Sequence, residues 1–124
     1  MNLFVYGSLR AGRKYHHFLE GAPLVSERAW TQGLLYDTGW GYPAMIPGRG
    51  IVHGEVYRVD RDRLKRIDHL EDFHGPGDPR NTYERVVRTV WTPVGTISCF
   101  LYLYVDSDRL RVRGRRIRSG VWSE

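Results

Sequence analysis

The sequence holds a single cysteine, Cys99, so no internal disulfide can brace the fold. Its neighbours Phe100 and Leu101 mark it as a buried thiol, and no nearby group would lower its pKa enough to make it a nucleophile. No apolar run reaches the ~20 residues that a spanning helix needs. The apolar stretch Asn2 to Leu9 carries neither a basic leader nor a cleavage site. A cytoplasmic protein in a reducing compartment, with no membrane partner, is therefore the expectation. P-loop and G-x-G-x-x-G patterns are absent, which leaves nucleotide binding without support. The five histidines, His16, His17, His53, His69 and His74, form no H-E-x-x-H and have no paired cysteines beside them, so no metal site is expected.

Acid is also in deficit. The chain has 19 basic against 14 acidic residues, a formal charge of +5. The excess is concentrated in Arg109, Arg111, Arg113, Arg115, Arg116 and Arg118. A solvated basic C-terminal tail over residues 109–124 is the ordinary reading, with contact to phosphates or an acidic partner as the alternative. No recognition motif accompanies the charge, so a nucleic-acid partner is not expected.

What is abundant is aromatic. With 124 residues the chain fits one domain, and it carries eight Tyr, four Trp and four Phe. Tyrosines have a polar handle and line pockets as readily as cores. Leu3 to Tyr6 reads as a strand ended by Gly7-Ser8, and Gly12 to Leu19 as a short helix. Strands are expected over Thr31 to Tyr36 and Ile51 to Val59, separated by an aromatic, Gly/Pro-rich loop from Thr38 to Gly50. Asp60 or Asp62 can cap a helix over Arg61 to Asp72, stopped by the run Phe73 to Pro79. Tyr83 to Trp91 and Ile97 to Val105 read as a hairpin with a buried second strand. The sum is an α+β domain, a curled and mostly antiparallel mixed sheet approaching a small barrel, with one or two short helices.

One residue breaks the pattern. At about 100° per residue, Glu71 falls between Leu64 and Ile67 on the inward face of its helix. A carboxylate there loses hydration, its pKa rises, and it becomes able to exchange a proton near neutrality. The competing explanation is an ordinary ion pair with Arg85 or another arginine, and Asp68 projects close enough to make the face impure. Ser8 sits at a strand end but lacks a G-x-S-x-G context and a partner histidine. It reads as a loop residue offering its hydroxyl and backbone N–H.

Several short motifs then agree in order. Tyr6-Gly7-Ser8-Leu9 resembles the Y-G-[ST]-L opening of gamma-glutamylcyclotransferase-like proteins. Tyr42-Pro43-Ala44, Gly54-Glu55-Val56-Tyr57, the helix end Ile67 to Phe73, Tyr83-Glu84-Arg85 and Ser119-Gly120-Val121-Trp122 are similar to later stations of the same family. Two departures stand out: the segment Gly75 to Asn81 is longer than usual, and Val121 replaces an acidic or amide residue.

The resemblance implies that Glu71 is the catalytic acid/base and that Tyr6, Gly7, Ser8 and Leu9 bind substrate in one shared cavity. It further implies a cofactor-free and metal-free ring closure of a small gamma-glutamyl substrate to 5-oxoproline with release of an amine. Tyr83, Arg85, Tyr102 and Tyr104 are candidates for the cavity wall. A non-catalytic pocket protein and a basic binding module are the alternatives; the oligomeric state and the leaving amine stay open.

Overall fold

The computed structural model describes residues 1–123. Six strands form one mixed sheet: β1 (Asn2–Val5), β2 (Leu24–Asp37), β3 (Pro43–Arg58), β4 (Tyr83–Thr92), β5 (Gly95–Tyr104) and β6 (Arg115–Arg116). The order is β3-β1-β5-β4-β2-β6, and β2 also pairs with β3, which closes the first five strands into a barrel. Only the β1–β5 contact is parallel. Two helices, α1 (Arg61–Leu70) and α2 (Ser107–Arg113), complete the α+β fold.

The long β2–β3 ribbon supplies the curvature. Its register shifts between Leu24 and Ser26, Ser26 and Ala29, and Gln32 and Leu34, and each bulge adds bend and twist. β4 and β5 form the expected hairpin, paired from Tyr83↔Tyr104 to Thr92↔Gly95. The alternation of faces splits the core in two. One cluster, including Leu3, Val5, Ile46, Leu64 and Ile67, lies under α1. The other, including Phe4, Met45, Val52, Val56 and Leu101, belongs to the opposite faces of the strands.

The structure departs from the sequence reading in five places, the first being β2, which starts at Leu24 well before the expected Thr31 and pairs with β3 from Leu24↔Tyr57 onward. The expected helix over 12–19 is only a 3-10 turn, His16–Leu19, because Gly12 takes φ 77° and Tyr15 provides no side-chain cap. Of the expected loop 38–50 only residues 38–42 stay outside strands, since β3 starts at Pro43. Pairing with β2 at Asp37↔Pro43 and Tyr36↔Ala44 outweighs the Gly and Pro content of the segment. Helix α1 ends at Leu70 instead of Asp72. The basic segment is no featureless tail: Asp106 caps α2 by accepting from the Arg109 N–H, Leu110 is buried, and β6 pairs with β2. Beyond it Trp122 is buried in the second core cluster. Gly120 sits at φ 71°, where a Cβ would lie 1.9 Å from the Ile51 carbonyl oxygen, so only glycine lets this segment lie against β3.

Candidate active site

Helix α1 aims the carboxylate. Asp60 starts it by accepting the Arg63 N–H at 2.8 Å. Leu64 and Ile67 turn inward and are buried. The helix stops in a Schellman arrangement: the Phe73 N–H donates to the Asp68 carbonyl at 2.9 Å and the Asp72 N–H to the His69 carbonyl at 3.2 Å. Asp72 takes the left-handed position with φ 55°. That geometry is commoner for Gly or Asn, and here the Asp72 side chain is held by the Thr82 hydroxyl and by His74. Glu71 is therefore the C-cap residue, its backbone N–H bonded to the Ile67 carbonyl at 2.9 Å. It points where α1 meets the barrel.

At that point lies a cavity of about 300 Å³, lined by Tyr6, Gly7, Ser8, Leu9 and Glu71 together with Tyr15, Tyr42, Tyr83 and Tyr102. All five residues singled out from the sequence share it. Glu71 reaches the cavity with part of its surface, yet dense protein surrounds it, and this desolvation pushes its pKa up to about 7. The carboxyl accepts no hydrogen bond and meets no cation among the described residues. Burial likewise raises Tyr6, Tyr42, Tyr83 and Tyr102, so these phenols stay neutral around it.

The ion pair expected as the ordinary explanation of Glu71 goes elsewhere. Arg85 bonds to Asp68, one turn earlier on α1, and lies between the rings of Phe73 and Phe100 at 5.1 and 4.8 Å. Arg85 does not orient Glu71. The Tyr102 hydroxyl donates to the other Asp68 oxygen at 2.6 Å. Tyr102 thus presents its ring to the cavity while its hydroxyl is tied behind it. Tyr83 also lines the cavity and donates to the Pro43 carbonyl at 3.0 Å. Tyr104 instead packs edge-on against Tyr83, outside the lining.

The loop after β1 is shaped by its own carbonyls. Gly7 C=O accepts from Arg10 N–H at 3.1 Å and Ser8 C=O from Tyr15 N–H at 2.8 Å. Among the described residues, no chain partner takes up the N–H groups of Gly7, Ser8 and Leu9. A Cβ on Gly7 would come within 2.7 Å of Pro43 Cγ, so the loop and the start of β3 close only around glycine. Leu9 is buried, and its carbonyl contacts His16 Nδ1 at 2.9 Å; its side chain serves the core.

Sequence reasoning missed Glu55. Its Oε1 accepts from the Ala11 N–H and from the Tyr57 hydroxyl, both at 2.9 Å, and so fastens the far end of the loop to β3. The signal was there in Gly54-Glu55-Val56-Tyr57: an acid and a tyrosine two apart on one strand share a face.

Comparison with known proteins supplies the family. Residues 3–124 match the family described as gamma-glutamyl cyclotransferase, AIG2-like. The chain belongs to that family. It is 44% identical over 112 residues to the gamma-L-glutamyl-butirosin B gamma-glutamyl cyclotransferase of Niallia circulans, covering 90% of this chain and 72% of that one. The gamma-glutamylcyclotransferase family protein YtfP of Escherichia coli is 36% identical over 125 residues, 98% of this chain and 96% of the relative. Its solution structure superposes with a TM-score of 0.69 at 35% identity, covering all of this chain and 97% of that one. YkqA of Bacillus subtilis superposes at TM-score 0.76 with 29% identity over 98% of this chain, which spans only 39% of that longer protein. Membership of this family supports the gamma-glutamyl cyclotransferase enzyme class in broad terms.

Proposed function

We propose that the protein converts a small gamma-glutamyl compound to 5-oxoproline and a free amine, with Glu71 as the general acid/base. The observation that carries this reading is an unpaired carboxyl with a pKa of about 7 in the same cavity as a loop with free N–H donors.

The substrate's α-amine is mostly protonated at neutral pH and cannot attack as an ammonium. Glu71, about half ionised near pH 7, takes a proton from it. The amine then adds to the substrate's own side-chain carbonyl, forming one C–N bond and closing a five-membered ring. The oxyanion so formed meets backbone donors at Gly7, Ser8 and Leu9, and fixed donors of this kind stabilise developing charge without reorganising. Tyr6 supplies wall and direction, its hydroxyl held by the Tyr102 carbonyl at 2.7 Å. Glu71 returns the proton to the leaving nitrogen as the original amide C–N bond breaks, and the second proton of the ring nitrogen then passes through the same carboxyl to the departing amine, which leaves as an ammonium. No water and no redox equivalent is consumed, so the reaction draws only on the chain's own residues. Nucleophile and electrophile share one molecule, and much of the rate gain comes from folding it into an attack geometry.

The test is 5-oxoproline release from a panel of gamma-glutamyl amino acids, isopeptides and amines by wild type and Glu71→Gln. Release by the wild type alone, with both proteins folded, supports the reading. Equal release by the two proteins removes Glu71 from the mechanism, and no release from any compound leaves a pocket without this reaction.

A further inference from the structure

The cyclisation uses nothing from the basic C-terminal segment, yet one of its arginines lies on Trp40, the ring beside the cavity residue Tyr42. Residues 38–42 turn back sharply: the Thr38 hydroxyl donates to the Tyr42 carbonyl at 2.7 Å, and Gly39 and Gly41 take φ 85° and 87°. The turn keeps Tyr42 in the cavity wall and leaves Trp40 57% exposed. The two rings lie 6.2 Å apart at 35°. The Arg109 guanidinium sits 5.2 Å from the Trp40 ring centroid, an attraction a planar cation makes well.

The exposed Arg109 is not an incidental surface charge. Its neighbour Leu110 is buried in the core and anchors α2. No carboxylate pairs with Arg109 among the described residues, whereas Arg115 in the same stretch lies 3.9 Å from Asp37. Tyr42 feels both ends of the site, since Glu71 raises its pKa and Arg109 lowers it. Arg109 is thus linked to the cavity that holds Glu71 through two aromatic residues, Trp40 and Tyr42. The cavity lining itself holds no Lys, Arg or His, and its other acid, Asp72, is occupied by Thr82 and His74.

We infer that Arg109, seated on Trp40, is the leaving-group subsite and takes the carboxylate of a departing amino acid or peptide. The substrates favoured are then gamma-glutamyl amino acids and gamma-glutamyl peptides over gamma-glutamyl amines that lack a carboxylate. This rests on the cyclotransferase reading, and it gives the aromatic turn and the arginine-rich segment one shared task. A guanidinium can meet a carboxylate with two parallel N–H donors, and the indole beneath it restricts its orientation.

The experiment compares gamma-glutamyl-alanine with gamma-glutamyl-alaninamide, which differ only in that carboxylate. Wild type is expected to favour the acid by about tenfold in kcat/KM, chiefly through KM, and raised salt to narrow the gap. Arg109→Gln should bring the ratio of the two close to one, while Arg109→Lys keeps part of it. Equal rates in the wild type, or a preference that survives Arg109→Gln, overturns the subsite. If neither compound releases 5-oxoproline, the proposed reaction has failed, and calorimetric titration still decides the subsite. Both compounds are titrated into Glu71→Gln and into Glu71→Gln with Arg109→Gln. Tighter binding of the acid that is lost with Arg109 upholds the subsite; equal binding of both compounds, or no binding of either, overturns it.

Discussion

Two regions at the end of α1 treat a carboxylate in opposite ways. Around Asp68 the protein supplies a guanidinium and a phenol, and two aromatic rings enclose the cation. Around Glu71, three residues on, it supplies Tyr6 and Tyr83, whose hydroxyls bond to carbonyls, and among the described residues no cation. Both groups leave the same helix and both are largely enclosed. The unpartnered Glu71 is driven to a pKa near neutrality by burial. Burial alone does not make a carboxyl into a proton carrier; it must also be denied a counter-ion, and Asp68 keeps Arg85 away from Glu71.

The sharpest way to break the contrast is Glu71→Gln. Loss of 5-oxoproline release by about 10²–10⁴-fold is expected, the usual span for a general acid/base. Stability should move the other way. The folded-state pKa of Glu71 is raised from 4.5 to about 7, so the native protein binds more protons between those values and loses stability as pH rises through that window. The loss reaches up to about 3 kcal/mol by pH 8 and is absent below pH 4. Thermal melting from pH 4.5 to 8 should show this slope in the wild type and a flatter one in Glu71→Gln.

Arg85→Met tests the other region. It leaves Asp68 as a buried, unpaired charge, and destabilisation by about 3 kcal/mol is expected from chemical denaturation. The stranded charge lies one turn from Glu71, so the acid limb of the pH–rate profile should move to higher pH. An unmoved limb would mean that Asp68 and Glu71 do not sense each other.

Tyr102→Phe is a smaller intervention. It keeps the cavity wall but deletes a 2.6 Å bond to Asp68, for a loss of about 1 kcal/mol. A few-fold fall in turnover would follow if the ring needs that tether. Smallest of all is Arg80→Ala. Its pair with Asp78 lies on the surface, where exposed ion pairs contribute little. Neither the melting temperature nor turnover should change measurably.

Much of this was legible in the residues. Helix α1 and the inward aim of Glu71 followed from the spacing of Leu64, Ile67 and Glu71, and the β4–β5 hairpin from two apolar runs around Pro93-Val94. The partner of Arg85 was not legible, because helix position fixes direction only within a turn. Asp68 and Glu71 were both in reach, and the choice depends on where β4 lies against α1. The extension of β3 back to Pro43 was hidden for a related reason. Pro47, Gly48 and Gly50 argue locally for a loop, while the pairing with β2 that overrides them is set by the barrel. The order within 107–116 could have been read from Asp106 as a cap with Leu110 as an anchor, but the density of arginine masked that signal.

The helix stop at Asp72 has a bearing on how this scaffold tolerates change. Its two backbone bonds close within residues 68–73, so the heading of Glu71 is settled before the chain reaches Gly75. The segment from Gly75 to Asn81 has its own local ties, with the Asn81 amide bonding the Gly75 carbonyl at 2.8 Å and Glu84 receiving the Gly77 N–H at 2.8 Å. Insertions there lengthen the chain between Asp72 and Thr82, both in the cavity lining, while the Glu71 carboxyl stays in register, so the cavity's surroundings can vary without turning that carboxyl.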